Sequence, residues 1–411
     1  MFVKLNARIA VNNYCVIPWT EVHINSDGTY QSCGSHKNVK SGTEFGSIHN
    51  VQNMTIREWM SSEYQQDARI KKANNQVEPL CATCYQEDSA GKNSKRTREL
   101  GKYPIIPIEY YQPQVSKLPR SYHIILGNEC NLACKMCGPM YSSRIAAERK
   151  RIGLWNGAVR QTWTDNQQAW DMVVNTMLQA EKLEYIHLIG GEPLLMPRFY
   201  ELIDALYNAG KTDVYIGFTT NGMLFNEDLM RKLQAFRHVD IGVSLEGLGA
   251  TNDFCRTGVD TPTVIANLEK YLTYRDPGHV YVVLRTVPSA ITVHELDKLY
   301  KWAIERKLDV MSTFVANPTW LSIKQLPADV KQRLLQQYSA WEYGETALAG
   351  NDRNPVHYRQ HIDNEVKGII NLLQQANDPE QTKELYNKLH EWGAFEQTVI
   401  RNYFSTAQQH N

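Results

Sequence analysis

Tyr122-His-Ile-Ile-Leu126 runs into Gly127-Asn128-Glu129 and then into Cys130-Asn-Leu-Ala-Cys134-Lys-Met-Cys137, and this stretch decides how the chain is read. A short apolar, β-branched run ended by glycine and polar residues predicts a strand. The three thiols then stand at the C-terminal end of that strand, where parallel α/β barrels carry their chemistry. Thiolates are preferred ligands of iron–sulfur clusters and of zinc. Three of them in one short loop suit three corners of a four-iron cube and leave the fourth iron without a protein ligand. An open position of that kind is what a reactive metal centre needs. A zinc site is the other reading the spacing allows.

Working outward, apolar runs at 122–126, 185–190, 214–219, 239–245, 280–287 and 308–315 predict strands. Amphipathic stretches near 140–152, 167–181, 197–209, 226–236, 262–274 and 293–306 predict the helices that go with them. Such alternation means βα units and a parallel sheet. The expected fold is α/β: a partial (β/α)6 barrel of the TIM type over residues 120–325, short of the eight units of a closed barrel.

Residues 1–100 differ and read as a small N-terminal α+β unit. Glu21-Val-His-Ile-Asn25 alternates, Asn25-Ser-Asp-Gly28 supplies a hairpin turn, and Cys33 follows on the returning strand. Thr55-Ile-Arg-Glu58 fits a capping box opening a helix with Trp59, Met60 and Tyr64. Pro79 stops the chain just before Cys81-Ala-Thr-Cys84. Residues 86–120 are polar, with Lys92, Lys95, Arg96, Arg98, Pro104, Pro107 and Pro113, and a linker is expected over 101–119. Beyond 325 the strand signals fade, and 328–345, 359–375 and 380–404 read as helices of a C-terminal segment over 326–411. Trp341, Tyr343, Leu385, Leu389 and Trp392 fall on their apolar faces, which suits helices packed as a cap or, alternatively, a lid over a substrate.

A chain of 411 residues buries a full-sized core and does not need disulfide staples. Lys+Arg and Asp+Glu both number 44, which argues against nucleic acid or an acidic membrane surface as a partner. No apolar run approaches the ~18 residues of a membrane span, and the first residues lack a continuous signal-peptide core. The expected compartment is the reducing cytoplasm, where the seven cysteines that fall into two groups, out of eight, are metal ligands rather than disulfides. Gly247-Leu-Gly249 lacks the third glycine of a dinucleotide loop, and His294-Glu295 lacks the second histidine of a zinc-protease helix.

Four further motifs stand in order at strand ends. Gly190-Gly191-Glu192-Pro193 ends the second strand and Thr219-Thr220-Asn221-Gly222 the third. Ser244-Leu245-Glu246-Gly247 ends the fourth, with Arg256 twelve residues on from Ser244, and Val287-Pro288-Ser289 follows the fifth. With the cysteine loop, they make the chain resemble the radical S-adenosylmethionine (radical SAM) superfamily. Cys15, Gly28, Cys33, the capped helix with Trp59, Arg69 and the pair Cys81-x2-Cys84 resemble the SPASM/twitch auxiliary-cluster domains, in the shorter twitch form that binds one cluster. Many family members place this unit after the barrel; here it precedes the barrel.

The resemblance implies two [4Fe–4S] clusters and S-adenosylmethionine as cofactors. Cys130, Cys134 and Cys137 would hold the first cluster, and Cys15, Cys33, Cys81 and Cys84 the auxiliary one, with a structural zinc as the alternative there. Gly190 and Gly191 would allow close approach to the cofactor, and Glu192 or the neighbouring peptide groups would accept from its ammonium, with Pro193 fixing the turn. Ser244 and Arg256 would hold its carboxylate. Thr219 and Asn221 would reach its ribose or methionine part, and Met136 its adenine. Cys255, beside Arg256, would be a hydrogen-atom donor if the enzyme were an epimerase; the plainer reading is a small buried hydrophobe. The resemblance implies a reductant such as flavodoxin or ferredoxin. By analogy within the family the substrate is a peptide or protein that is oxidised, crosslinked or epimerised. A small-molecule radical SAM oxidoreductase and a non-enzymatic zinc-binding adaptor are the alternatives.

Overall fold

The apolar runs become strands where the sequence places them. The computed structural model describes residues 2–4, 13–35, 44–89, 94–103, 105–115, 117–315, 318–341, 355–394 and 404. Lys92, Pro104, Tyr343 and parts of the tail helices expected over 328–345 and 380–404 lie outside the described residues. The chain forms two compact units, one of Met1–Cys130, Pro139–Phe218 and Arg231–Arg237, the other of Asn131–Gly138, Thr219–Met230 and His238–Asn411.

In the first unit, strands β1 (Glu21–Ile24) and β2 (Tyr30–Gln31) form the expected hairpin. Gly28 takes φ +85° in its turn, a left-handed conformation that glycine adopts without strain. Helices α1 (Ile56–Ser61), α2 (Glu63–Ala73), α3 (Ala82–Ser89) and α4 (Lys95–Gly101) follow. Thr55 and Glu58 close a reciprocal capping box on α1. Strand β3 (Ser121–Ile125), helices α5 (Ser143–Arg151) and α6 (Gln167–Gln179), strand β4 (Tyr185–Ile189), helix α7 (Pro197–Asn208) and strand β5 (Tyr215–Thr220) complete the alternation. β3, β4 and β5 pair in parallel. Ile124, Ile186, Leu188, Ile216 and Phe218 are buried along one face of these strands, and Phe199 of α7 packs on Phe218.

Two features of this unit differ from the sequence reading. The hairpin does not keep to itself: β1 pairs in parallel with β3 and so extends the sheet of the βα units. The stretch expected as a linker over 101–119 holds ordered elements. Ile105–Pro107 is a strand paired with Phe2–Lys4, and a helical turn covers Ile108–Tyr111. Ile106 and Tyr110 are buried there, together with Leu100 just before the stretch and Tyr14, Val16 and Trp19. Its prolines and charges dominate the composition, but Ile106 and Tyr110 are buried while Ile108 stays exposed.

After helix α8 (Glu227–Leu233), the second unit continues the alternation. Strand β6 (His238–Ser244), helices α9 (Ala250–Cys255) and α10 (Thr261–Thr273), strand β7 (Val280–Thr286), helix α11 (Leu296–Glu305) and strand β8 (Asp309–Ser312) follow one another. β6, β7 and β8 are parallel. The six strands β3 to β8 with their helices are the (β/α)6 succession that the sequence predicts. Helices α12 (Ala328–Ser339), α13 (Pro355–Gln374) and α14 (Pro379–Glu391) form the C-terminal segment. Buried Val330, Leu334, Ile369, Leu385 and Leu389 tie them down as packed helices. Among the described residues no helix is long and apolar enough to cross a membrane.

Trp59 stacks on Tyr30 with ring centroids 5.3 Å apart and planes 7° from parallel, and both side chains are fully buried. Trp59→Ala is expected to destabilise the protein by about 3–5 kcal/mol through the cavity it leaves, read from urea denaturation.

Candidate functional site

The four N-terminal cysteines come from three separate places in the chain. Cys15 precedes the single helical turn Ile17–Thr20, Cys33 follows β2, Cys81 ends the helical turn Pro79–Cys81, and Cys84 lies in α3. Their thiols stand within one another's electrostatic reach: Cys15 with Cys33 and Cys81, and Cys84 with Cys33 and Cys81. Each sulfur also receives a donor. The Ile17 N–H donates to Cys15, the Ser35 N–H to Cys33 at 3.3 Å, and the Arg96 N–H and Ser94 hydroxyl to Cys84. The Lys72 ammonium lies 3.1 Å from Cys81 Sγ and 3.0 Å from the Tyr85 hydroxyl. Burial pushes the Cys33 thiol up to about 11 and raises Cys15 and Cys84 as well. Such thiols become ligands when a metal holds the charge that the interior disfavours.

These sulfurs, with an N–H, hydroxyl or ammonium at each, fit an anionic, fully protein-ligated cluster. Among the described residues no three His, Cys, Asp or Glu side chains converge on a single ion. Arg69 of α2 is fully buried and donates to the carbonyls of Pro18 (3.0 Å), Met60 (2.7 Å) and Pro113 (2.9 Å). No described cysteine is in a disulfide.

Also in the first unit, Cys130 ends the loop after β3, and the glycine turn after β4 grips that loop. The Gly191 N–H donates to Gly127 O at 2.9 Å and the Glu192 N–H to Glu129 O at 2.7 Å. A Cβ on Gly191 would stand 1.9 Å from Glu129 O, and one on Gly190, where φ is +146°, 2.6 Å from Gly127 O. These glycines approach the protein's own backbone, and that close fit holds the loop that carries Cys130. The buried carboxylate of Glu192 caps the turn Pro193–Leu195 by accepting from the Leu194 N–H at 3.1 Å. Asn128, which the sequence reading passed over, donates to Pro139 O and Val159 O at 2.9 Å and accepts from the Gln161 N–H at 2.8 Å. Its position two residues before the first cysteine was the available signal.

In the second unit, Ala133–Cys134 pairs antiparallel with Arg256–Thr257. The Cys137 N–H donates to Cys134 O at 3.0 Å, and the Lys135 N–H to Cys255 O at 2.8 Å. Asn221 donates to Asn131 Oδ1 at 2.7 Å and accepts from the Met223 N–H at 3.0 Å, so it holds the cysteine loop and shapes its own turn. Arg256 has a carboxylate partner already. Its Nη2 donates to Glu246 Oε1 at 2.6 Å, both side chains being buried, and its Nη1 lies 3.8 Å from Cys134 Sγ. Glu246 Oε2 accepts from the Thr286 hydroxyl at 2.9 Å and the Val287 N–H at 2.7 Å. A hydrogen bond from Cys137, helped by the Arg256 charge and opposed by burial, lowers Cys134 to about 7. Glu246, quoted in the sequence only as part of a strand-end motif, is thus the residue that sets Arg256.

Thr219 stands near the end of β5, Ser244 at the end of β6, and Met136 between the last two cysteines of the loop. Lys135 lies over the rings of Phe254 (4.5 Å) and Trp392 (5.0 Å), which brings the C-terminal segment onto the cysteine loop. Cys255 is fully buried, its sulfur 4.0 Å from Ile291 O, and burial raises its thiol well above the ordinary range. Glu246→Ala would leave the Arg256 charge buried without its partner. It is expected to destabilise the fold by about 3–5 kcal/mol in chemical denaturation, more than Glu246→Gln, which keeps an acceptor. Cys255→Ala is expected to leave the reaction product unchanged, read by mass spectrometry.

Residues 124–303 match the radical SAM superfamily, and residues 15–85 match SPASM, an iron–sulfur cluster-binding domain. The mycofactocin maturase MftC of Mycobacterium ulcerans is 30% identical over 128 residues, 31% of this chain and 29% of the maturase. The GTP 3′,8-cyclase of Synechocystis sp. is 26% identical over 229 residues, 52% of this chain and 62% of the cyclase. The chain therefore spans under a third of the maturase and under two thirds of the cyclase. The solved structure of native anSMEcpe with bound AdoMet and Cp18Cys peptide aligns with a TM-score of 0.39 at 19% identity, over 53% of this chain and 57% of that one. The three-cysteine loop and its strand lie at the start of the first match, and the four N-terminal cysteines lie within the second: the chain carries a radical SAM stretch at 124–303, preceded by a SPASM iron–sulfur stretch at 15–85.

Proposed function

We propose that this enzyme cleaves S-adenosylmethionine reductively and takes a hydrogen atom from a peptide or protein, leading to oxidation, crosslinking or epimerisation of that chain. The observation that carries the reading is the three-thiol loop after β3, at the C-terminal end of a parallel strand and inside the radical SAM match. Cys130, Cys134 and Cys137 hold a [4Fe–4S] cluster with one iron left open, and Cys15, Cys33, Cys81 and Cys84 hold a second. When bound, the first cluster with S-adenosylmethionine supplies a primary carbon radical at C5′ by one-electron cleavage of the C5′–S bond.

The chain's own residues position and insulate that chemistry. Gly190, Gly191 and Glu192 hold the backbone leading to Cys130, while Asn221 holds Asn131. Arg256, set by Glu246, keeps a positive charge beside the Cys134 sulfur. Thr219, Ser244 and Met136 offer two hydroxyls and a thioether to the cofactor. Cys255 has no part in oxidation or crosslinking; only epimerisation would call on it, to return a hydrogen atom to the substrate. Flavodoxin or ferredoxin supplies the electron, and the reducing cytoplasm suits eight unbridged thiols.

A peptide or protein substrate is favoured by the likeness to a maturase, together with the SPASM match. A small-molecule substrate is the second reading, and the likeness to a cyclase over 52% of the chain favours it. Anaerobic reconstitution is expected to give a brown protein with about eight irons per chain, falling to about four in Cys81→Ala/Cys84→Ala. Dithionite and S-adenosylmethionine are expected to yield 5′-deoxyadenosine, and Cys134→Ala none. Deuterium passing into 5′-deoxyadenosine from labelled candidate peptides identifies the substrate. A colourless protein holding only zinc, with no 5′-deoxyadenosine formed, would point instead to the adaptor.

A further inference from the structure

Three histidines form a row across neighbouring strands of the first unit. His23, His123 and His187 are register partners on β1, β3 and β4. His123 and His187 lie on the less buried face of their strands, with ring centroids 4.4 Å apart and His123 Nε2 2.5 Å from His187 Nδ1. Lys95 Nζ is 3.4 Å from His123 Nδ1 and 2.6 Å from Glu21 Oε1. An ammonium only donates, so His123 Nδ1 accepts. The His123 proton is then on Nε2 and is donated to His187 Nδ1. One direction, Lys95 to His123 to His187, satisfies all three groups.

The same residues border the four-cysteine site. Ser94 and Arg96, on either side of Lys95, donate to Cys84, and Cys33 lies in the fields of Lys95 and Glu21. Gly34, next to Cys33, has no room for a side chain: a Cβ there would stand 2.9 Å from His23 Nδ1 and 3.4 Å from His123 Nδ1.

We propose that His123 and His187 form a proton-accepting dyad that takes up one proton when the four-cysteine site gains one electron. The inference rests on the reading of that site as an iron–sulfur cluster. One electron from an external one-electron reductant enters the cluster, one proton from solvent binds at His123 Nδ1, and no other bond changes. The resulting imidazolium donates through Nε2 to His187 in a charge-assisted hydrogen bond. With the cluster oxidised, Lys95 beside Nδ1 opposes this proton; the negative charge added on reduction offsets that opposition. Titratable groups near the dyad include His23 on β1, Tyr185, which stacks on His187, and Lys102, which lies over the Tyr185 ring; Glu21 holds Lys95, and Glu99 acts on Glu21. An electron and a proton leaving a substrate radical would thereby both be received by this unit.

The test is a redox titration of the reconstituted full chain, followed by electron paramagnetic resonance from about pH 6 to pH 9. The auxiliary cluster's midpoint potential is expected to fall as pH rises, approaching ~59 mV per unit, the tenfold-per-unit linkage of one proton to one electron. His123→Gln is expected to flatten the dependence, and His187→Leu to move the sloping segment about one unit lower in pH. The three-cysteine cluster, recognised by its response to added S-adenosylmethionine, keeps its wild-type dependence in both. A pH-independent potential in the wild type, or a slope retained in His123→Gln, overturns the dyad alone. A four-cysteine site that holds only zinc overturns the dyad and the cluster reading together. Should His123→Gln fail to load iron, the wild-type slope and the His187→Leu shift still decide.

Discussion

No side chain fits between the glycine turn after β4 and the backbone that follows β3. A Cβ on Gly191 would lie 1.9 Å from Glu129 O. With that space closed by backbone alone, two main-chain hydrogen bonds tie Gly191 and Glu192 to Gly127 and Glu129. The tie sets where Cys130 begins. Steric exclusion of this kind specifies a position more sharply than attraction, because it admits one residue type and one separation.

Around the cysteines the organising problem is charge in a dry setting. Glu246 is buried and acceptable there because Arg256, Thr286 and Val287 together satisfy both its oxygens. Arg256 in turn brings its charge to the Cys134 sulfur. The four-cysteine site meets the same problem with backbone N–H groups, a hydroxyl and the Lys72 ammonium, one or more at each sulfur. Both arrangements supply donors to sulfur before any metal arrives, which is how a protein tunes a cluster from beyond its ligands.

Much of this was readable from the residues. The strands and helices of the βα units follow period-2 and period-3.6 patterning, and they fall within a few residues of where that patterning puts them. Cys130, Cys134 and Cys137 declare themselves because all three lie in one loop. The stretch between the two domains was harder: Leu100, Ile106 and Tyr110 are outnumbered by charges and prolines, so no periodicity betrays that they pack on Tyr14 and Trp19. The pairing of β1 with β3 was equally hidden, since about a hundred residues separate the two strands and no local signal carries that distance.

By itself the sequence determined the βα succession, the two cysteine groups and the glycines at Gly190 and Gly191, because each depends on neighbours close along the chain. Tertiary structure alone decided what those glycines approach, that Arg256 is held by Glu246, and that His123 meets His187. These are contacts across the sheet or between loops. They depend on register and on which partner satisfies a buried charge, and both are settled only when distant segments pack.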